Sequence, residues 1–160
     1  MPIFTDLAHP SDAEAMAQMS RVEVERGLVW RYRPHRISAL LQTPETTGVC
    51  VRFQSNTTKR VHLLGFGIMR LGIEDAHIIL LAVDQSIRRR GIGSKIMDWL
   101  VKTADGAMMN RIVLETRQNN KDAQRFYERH GFVQHRRLVG YYATLQGTTE
   151  DGLHLIKTLG

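Results

Sequence analysis

With 160 residues, of which 42% are hydrophobic and 24% charged, the chain has room for one soluble domain, which we expect over residues 1–160. No apolar run reaches the roughly 20 residues of a membrane span, the N-terminus lacks a secretory pattern and the single cysteine forms no internal disulfide, so we expect a cytoplasmic protein without membrane association. The net charge of +6 attracts polyanions, but the basic residues are scattered without interleaved aromatic side chains, which does not favour nucleic acid as the main ligand.

The N-terminal third predicts one strand followed by two helices. Ile3–Leu7 has the pattern of a short strand and ends before a proline. Ser11 and Glu14 have the spacing of a capping box, which predicts a helix over residues 11–25. A proline in the first turn predicts a short second helix, Pro34–Leu41.

Three strands follow and predict an antiparallel meander. Residues 48–54 and Val61–Leu71 are separated by a polar turn, and the third strand covers residues 78–83. Those last six residues are all apolar, without alternation, as expected for a strand buried on both faces. Gly65 and Gly67 in the second strand predict close backbone approach or a bulge.

A glycine-containing turn joins this central strand to an amphipathic helix. Gly91 and Gly93 allow the backbone to approach a ligand closely, and the first helical turn presents N–H groups without internal partners. The helix dipole and the arginines at positions 88–90 add positive charge at the same place. The turn therefore predicts a binding site for a phosphate or pyrophosphate group.

The C-terminal third predicts a strand, a helix and two further strands. The strand is Arg111–Arg117, and Asn120 can cap the helix that follows it. Residues 132–139 have the pattern of a strand, residues 141–151 that of a longer connection, and residues 152–159 that of a final edge strand. The whole order predicts an α/β protein with a mixed sheet that carries helices on both faces.

Two motifs resemble the signatures of a known family. The run Arg88-Arg89-Arg90-Gly91-Ile92-Gly93 fits R-x-x-G-x-G, which is similar to the acetyl-CoA-binding signature of the GNAT superfamily of N-acyltransferases. The residues Asn120, Ala123, Tyr127, Gly131 and Phe132 fit N-x-x-A-x-x-x-Y-x-x-x-G-F, which resembles the second signature of that family. The resemblance implies the GNAT fold, a mostly antiparallel sheet of about seven strands flanked by about four helices. It also implies acetyl-CoA as co-substrate and no metal.

The resemblance implies a role for individual residues in binding acetyl-CoA. Main-chain groups of the central strand, the glycine turn and the second motif form this set, which comprises Leu81, Ala82, Val83, Arg88, Arg89, Arg90, Gly91, Ile92, Gly93, Ser94, Asn120 and Tyr127. Main-chain N–H groups near the end of the central strand would also stabilise the oxyanion of the reaction.

Acetylation of an amine also requires a base, because an alkyl ammonium titrates near pH 10 and its proton must leave directly or through water. Glu115 and Tyr127 resemble the base and the acid of the GNAT enzymes that acetylate the N-terminal α-amino groups of ribosomal proteins. The alternatives are a salt-bridged surface carboxylate for Glu115 and a buried aromatic with a locally satisfied hydroxyl for Tyr127. Proton transfer from a tyrosine with a pKa of about 10 to a thiolate whose thiol has a pKa of about 8.5 costs about 2 kcal/mol. Either the site reduces this difference in pKa, or Tyr127 mainly orients the sulfur.

The acceptor is the least determined part of the site. Tyr141 and Tyr142 are similar to a tyrosine pair that opens a loop over the peptide in N-terminal acetyltransferases, and Trp30 lies in a region that lines the acceptor site in this family. These three residues are the candidates for substrate binding. The alternatives are core packing for Trp30 and a purely conformational role in the loop for the two tyrosines.

Three functions remain open at this point: an acetyltransferase for the α-amino group of a peptide or protein, one for a small amine such as a polyamine, amino acid or aminoglycoside, and a non-catalytic module that binds acetyl-CoA. The seven histidines show no metal-ligand spacing, although His77 precedes the central strand and could assist as a base. The protein could be a monomer or a homodimer formed through an exposed final strand.

Overall fold

The computed structural model describes residues 2–87 and 90–160, and within them the chain forms seven strands and four α-helices. The strands are β1 (Ile3–Leu7), β2 (Thr46–Gln54), β3 (Val61–Leu71), β4 (Asp75–Val83), β5 (Arg111–Arg117), β6 (Val133–Ala143) and β7 (Thr149–Thr158). The helices are α1 (Ala13–Glu23), α2 (Pro34–Leu41), α3 (Ile92–Gly106) and α4 (Lys121–Arg129). The predicted fold class, a mixed and mostly antiparallel sheet with flanking helices, is confirmed.

The strands form one sheet in the order β1-β2-β3-β4-β5-β7-β6. Neighbouring strands are antiparallel except β4 and β5, which run parallel. These two pair only from Asp75 opposite Arg111 to His77 opposite Val113, although both strands continue further. Beyond this point they separate, and a cleft opens in the middle of the sheet.

Helices cover both faces of the sheet. The core on one face is built with α3 and α4, and the core on the other face with α1 and α2. The central strand β4 contributes to both, as predicted, because Ile78 belongs to the first core and Leu80 to the second. A β-bulge at Ile79 permits this: Leu80 pairs with Ile68 while Ile78 pairs with Met69, which shifts the alternation of side chains by one residue.

Two glycines of β3 allow α3 to lie close to the sheet. A Cβ atom on Gly67 would lie 2.8 Å from Cγ2 of Ile96 in α3. One on Gly65 would lie 2.9 Å from the backbone oxygen of Ala82 in β4. The predicted close approach at these glycines is therefore confirmed.

The C-terminal strands differ from the prediction. β7 is not an edge strand, because it lies between β5 and β6, and β6 forms the edge of the sheet. β6 also continues past residue 139, since the hairpin pairs Tyr142 with Glu150 and Ala143 with Thr149. Tyr141 and Tyr142 therefore lie in a strand and not in a connection.

The start of the first helix also differs from the prediction. Ser11 lies inside a short 3₁₀ turn, Pro10–Asp12, and does not cap α1. The turn is closed by the backbone N–H of His9, which donates to Oδ2 of Asp12 at 2.8 Å. The capping interaction therefore comes one residue before the proline.

Candidate active site

The cleft between β4 and β5 has a volume of about 700 Å³. Its lining combines the separated ends of both strands with the connection between α1 and α2, the first turn of α3, most of α4, and the end of β6. The predicted site residues in this lining are Leu81, Ala82, Val83, Gly91, Ile92, Gly93, Ser94, Glu115, Asn120, Tyr127, Tyr141 and Tyr142. The structure thus brings residues far apart in sequence to one cleft.

Of the predicted site residues, two lie outside this lining and two outside the described residues. Arg90 is exposed and lies outside the lining. Arg88 and Arg89 lie outside the described residues. Trp30 also lies outside the lining and packs against the core formed with α1 and α2, whereas its neighbour Tyr32 does line the cleft.

One end of the cleft can hold an anion. Gly91 adopts φ 75°, a left-handed conformation that favours glycine, and it directly precedes α3. The first helical hydrogen bond runs from the N–H of Lys95 to the oxygen of Gly91 at 3.0 Å. Within the described residues, no backbone acceptor pairs with the N–H groups of Ile92, Gly93 and Ser94. These groups and the helix dipole favour a phosphate at this end.

Gly93 has a packing role that the sequence did not reveal. A Cβ atom at this position would lie 3.0 and 3.2 Å from two ring atoms of Phe126. Glycine therefore allows the start of α3 to lie against α4. The sequence predicted a close approach of a ligand here, and the structure adds the close approach of a second helix.

Asn120 caps α4, as predicted. Its side-chain oxygen accepts a hydrogen bond from the N–H of Ala123 at 3.1 Å. The side chain of Gln124 supports the same turn by donating to the backbone oxygens of Arg117 and Gln118. The second family motif therefore starts at a helix N-terminus that faces the cleft.

Tyr127 places a phenol at the cleft from within the core. Its ring makes edge contacts with Phe126 and Phe132, at centroid distances of 5.4 and 5.7 Å. Among the described residues, no hydrogen bond partner contacts its hydroxyl. Burial raises the pKa of Tyr127 to about 12. The hydroxyl is therefore protonated at neutral pH and available to a ligand.

Glu115 lies on β5 between two imidazoles. Its Oε1 lies 2.7 Å from Nε2 of His77, and its Oε2 lies 3.0 Å from Nδ1 of His154. Burial raises the pKa of this carboxyl, but the hydrogen bonds and charges of the two histidines outweigh burial and hold the pKa below its usual range. Glu115 is therefore an ionised carboxylate at neutral pH.

The partners of Glu115 bear on the alternative role considered for it. Among the described residues they are two histidines and no lysine or arginine, so its salt bridges require protonated imidazoles, and its side chain is only 16% exposed. His77 is joined to it, although sequence reasoning considered this histidine only as a lone base. His154 was missed, because only the antiparallel register of β5 and β7 places it opposite Glu115.

The two tyrosines of β6 face the cleft together. Their rings meet edge to face with centroids 4.9 Å apart. Burial raises the pKa of both hydroxyls, and nearby negative charge, including that of Glu115, raises them further. Tyr141 and Tyr142 are therefore neutral hydrogen bond donors at physiological pH that line the cleft.

Two further residues shape the cleft and were not predicted. Glu25 is buried, and its carboxylate accepts from Oγ of Ser20 and from the backbone N–H of Arg31, both at 2.8 Å. Arg117 donates two hydrogen bonds to Glu150, at 2.9 and 2.8 Å, and one to the backbone oxygen of Arg26 at 2.8 Å. Together they fix the connection between α1 and α2 over the cleft.

In the described part of the chain, no group of three or more His, Cys, Asp and Glu side chains is arranged to hold a metal ion. Across the same residues, no helix is both long and apolar enough to cross a membrane.

The sequence matches the model of the acetyltransferase (GNAT) family over residues 15–132. N-alpha-acetyltransferase 30 of Xenopus laevis is 46% identical over 70 residues, which are 41% of this chain and 24% of that protein. The [ribosomal protein bS18]-alanine N-acetyltransferase of Haemophilus ducreyi is 27% identical over 96 residues, 60% of this chain and 66% of that protein. The match therefore spans about a quarter of the first relative.

The crystal structure of NAA60 from Arabidopsis thaliana in complex with a bisubstrate analogue superposes with a TM-score of 0.83 at 20% identity, covering 99% of this chain and 100% of that one.

Proposed function

The chain belongs to the GNAT family of acetyltransferases, and from this premise we propose that it transfers the acetyl group of acetyl-CoA to the α-amino group of a peptide or protein N-terminus. The observation that carries the proposal is the cleft where β4 and β5 separate, which an ionised carboxylate and a neutral phenol both line. The names of the two relatives, an N-alpha-acetyltransferase and an alanine N-acetyltransferase, support this acceptor.

The donor would lie along main chain. The N–H groups at the start of α3 would hold the diphosphate of CoA, with Arg90 adding positive charge near them. The main-chain groups of Leu81, Ala82 and Val83 that face away from β3 would pair with the amides of the CoA arm. Asn120 faces the same cleft and would contact this arm. This arrangement leaves the thioester close to the point where the strands part.

The state of Glu115 supports an α-amino acceptor. An α-amino group has a pKa of about 7.7–8.0, whereas a lysine amine has a pKa of about 10.4. The histidines lower the pKa of Glu115 and make it a weak base. An α-amino group, which is less basic than a lysine amine, therefore gives up its proton to Glu115 at the lower cost. A substantial fraction of α-amino groups is also neutral at pH 7.5, whereas the amines of lysine and of polyamines are almost fully protonated at this pH.

The reaction would then proceed by direct attack. The amine nitrogen forms a bond to the thioester carbonyl carbon, and its proton passes to Glu115 directly or through water. Main-chain N–H groups near the end of β4 stabilise the negative charge on the carbonyl oxygen. The carbon–sulfur bond breaks, and the CoA thiolate leaves.

Tyr127 would act mainly by orienting the sulfur. Burial raises its pKa to about 12, well above the roughly 8.5 of a free thiol, so complete proton transfer to the thiolate is unfavourable. A hydrogen bond from the hydroxyl to the developing thiolate carries no such penalty. Burial therefore favours the role of hydrogen bond donor for Tyr127 over that of general acid, and the thiolate would take its proton from solvent.

An acceptor panel read by release of the CoA thiol tests the proposal. One peptide carries a free N-terminus and an internal lysine, its matched control has the N-terminus blocked, and the small amines are a polyamine, an amino acid and an aminoglycoside. We expect turnover with the free N-terminus and none with the blocked peptide. A preference for a small amine would favour a small-molecule acetyltransferase, and CoA binding without turnover would favour a non-catalytic module.

A further inference from the structure

A group of arginines stacks on aromatic rings beside the cleft. The guanidinium groups of Arg21 and Arg33 each lie 4.9 Å from the ring centre of Trp30, and those of Arg36 and Arg31 lie 5.0 and 6.0 Å from that of Tyr32. These six residues form a patch that we call the arginine–aromatic patch. Arg31 and Tyr32 also line the cleft, so the patch continues from the candidate active site onto the surface.

The guanidinium groups of the patch are accessible to a ligand. All four arginines are exposed, and none forms an ion pair with a carboxylate in the described part of the chain. The nearby acid Glu25 is buried and accepts hydrogen bonds from Ser20 and the backbone of Arg31. Stacking on a ring fixes a guanidinium plane and leaves its N–H edges free for a carboxylate.

The same geometry leaves no aromatic face of the patch free for a stacked base. Binding of single-stranded nucleic acid relies on aromatic faces on which bases can stack. Here guanidinium groups already lie over both rings, and Trp30 also packs into the core. The free groups of the patch are therefore N–H edges, which bind carboxylates in the bidentate geometry that arginine favours.

We propose that the arginine–aromatic patch selects acceptor peptides with acidic side chains shortly after the reacting N-terminus. This inference rests on the proposed function: if the N-terminus of a peptide reacts in the cleft, the residues that follow it lie along the wall that Arg31 and Tyr32 form. An extended peptide advances about 3.3–3.6 Å per residue, so successive side chains leave the cleft past this wall. Attraction between opposite charges raises the rate of productive association and falls as salt screens it.

Steady-state kinetics with three matched peptides test the inference. The peptides share their first two residues and carry Asp, Asn or Lys at positions three to five. We expect kcat/KM for the Asp peptide to exceed that for the Asn peptide by about tenfold at low salt, and the Lys peptide to be the poorest. The ratio should shrink at 0.3 M salt because the screening length is then below about 8 Å.

Variants of the patch connect this preference to its residues. Replacing Arg33 and Arg36 by Gln should bring the Asp-to-Asn ratio close to one. Replacing both by Lys retains the charge and should preserve most of the ratio, which separates charge from folding. Arg60→Gln is the matched control, because it removes one exposed charge from a turn outside the cleft lining and should leave the ratio unchanged. Thermal melting and acetyl-CoA binding check that each variant is folded.

Several results would overturn the inference. Equal kcat/KM for the Asp and Asn peptides would refute the patch's role while leaving peptide acetylation intact. An Asp-to-Asn ratio that is unchanged when Arg33 and Arg36 are both replaced by Gln would also refute it. The same holds if this double variant loses binding to RNA while its Asp-to-Asn ratio stays unchanged. No turnover of any peptide would refute the proposed function itself, and the inference with it.

Discussion

Oε1 of Glu115 lies 2.7 Å from Nε2 of His77, across the last pair of residues that joins β4 to β5. His77 pairs with Val113, and Glu115 follows two residues later on the same face of β5. The carboxylate is therefore held just where the two strands part. A carboxylate at this position can reach the cleft, while its second hydrogen bond, to His154, holds it against the sheet.

Replacing Glu115 by Gln should lower kcat by about 10²–10⁴, because the amide cannot accept the proton of the amine. Acetyl-CoA binding, measured by calorimetry, should be unchanged. Glu128→Gln is a matched control on the exposed face of α4 and should retain full turnover. A loss of less than threefold in the Glu115 variant would exclude Glu115 as the base.

The dependence of kcat/KM on pH should follow the acceptor, and not Glu115 or Tyr127. The pKa of Glu115 is lowered and that of Tyr127 is raised to about 12, so neither group changes charge between pH 6 and 9. The pH at which kcat/KM rises should therefore shift with the α-amino pKa when different peptides are compared. A pH that stays fixed across such peptides would show that a group on the enzyme controls the rise.

Glu115 should also affect stability in acid. Because its folded pKa is lowered, its contribution to stability is fully present above the unfolded value near 4.5 and is lost as the pH falls through the folded value. The stability gap between the wild type and Glu115→Gln should then narrow below about pH 4.5. Urea unfolding at several pH values measures this gap, and a gap that widens in acid would reverse the assigned direction.

Tyr127→Phe should reduce kcat by about 10- to 100-fold, as expected for the loss of one hydrogen bond to a charged group. The hydroxyl has no partner in the described structure, so the free energy of unfolding should change by less than about 0.5 kcal/mol. Single-turnover kinetics and chemical unfolding measure the two effects. A much larger loss of rate would point back to complete proton transfer from Tyr127.

A series at Asn120 separates helix capping from ligand binding. Asn120→Ala should cost about 1 kcal/mol of stability, because the N–H of Ala123 loses its acceptor, whereas Asn120→Ser should retain the cap. If the amide also contacts CoA, the Ser variant should be as stable as the wild type and still show a raised KM for acetyl-CoA. An unchanged KM in this variant would restrict Asn120 to capping.

Gly65→Ala should damage both the fold and the cleft. Its Cβ would lie 2.9 Å from the backbone oxygen of Ala82, and backbone cannot move as easily as the end of a side chain. We expect a loss of about 1–3 kcal/mol and weaker acetyl-CoA binding. Gly106→Ala is the control, since its Cβ would have no neighbour within 4 Å and alanine favours helix by about 0.5–1 kcal/mol. Equal stability of the two variants would contradict the packing argument.

The sequence predicts the features that local patterns determine. Helical spacing and capping chemistry place α4 and its cap at Asn120, and glycines mark the turn before α3. The long-range partners could not be predicted in this way. His154 reaches Glu115 only because β7 inserts between β5 and β6, and Arg117 reaches Glu150 through the hairpin that follows. Both contacts depend on strand order and register, which a short motif does not encode.

The connection between α1 and α2 shows the same limit on a smaller scale. Trp30 and Tyr32 are both aromatic and two residues apart, and nothing in the local pattern says which of them faces the cleft. The buried carboxylate of Glu25 decides this by accepting from the backbone N–H groups of Arg31 and Tyr32. Such a loop is defined by one side chain that holds its backbone, and not by periodicity.

The separation of β4 and β5 reverses the usual pattern of hydrogen exchange in a sheet. Amides in the central strands of a protein are normally the slowest to exchange, because only global unfolding exposes them. In β4, the amides beyond His77 that do not bond to β3 have no strand beside them, so they should exchange as readily as those at an edge. The centre of this sheet is therefore a place where solvent reaches the backbone, and any molecule that fills the gap would register there first as slowed deuterium uptake.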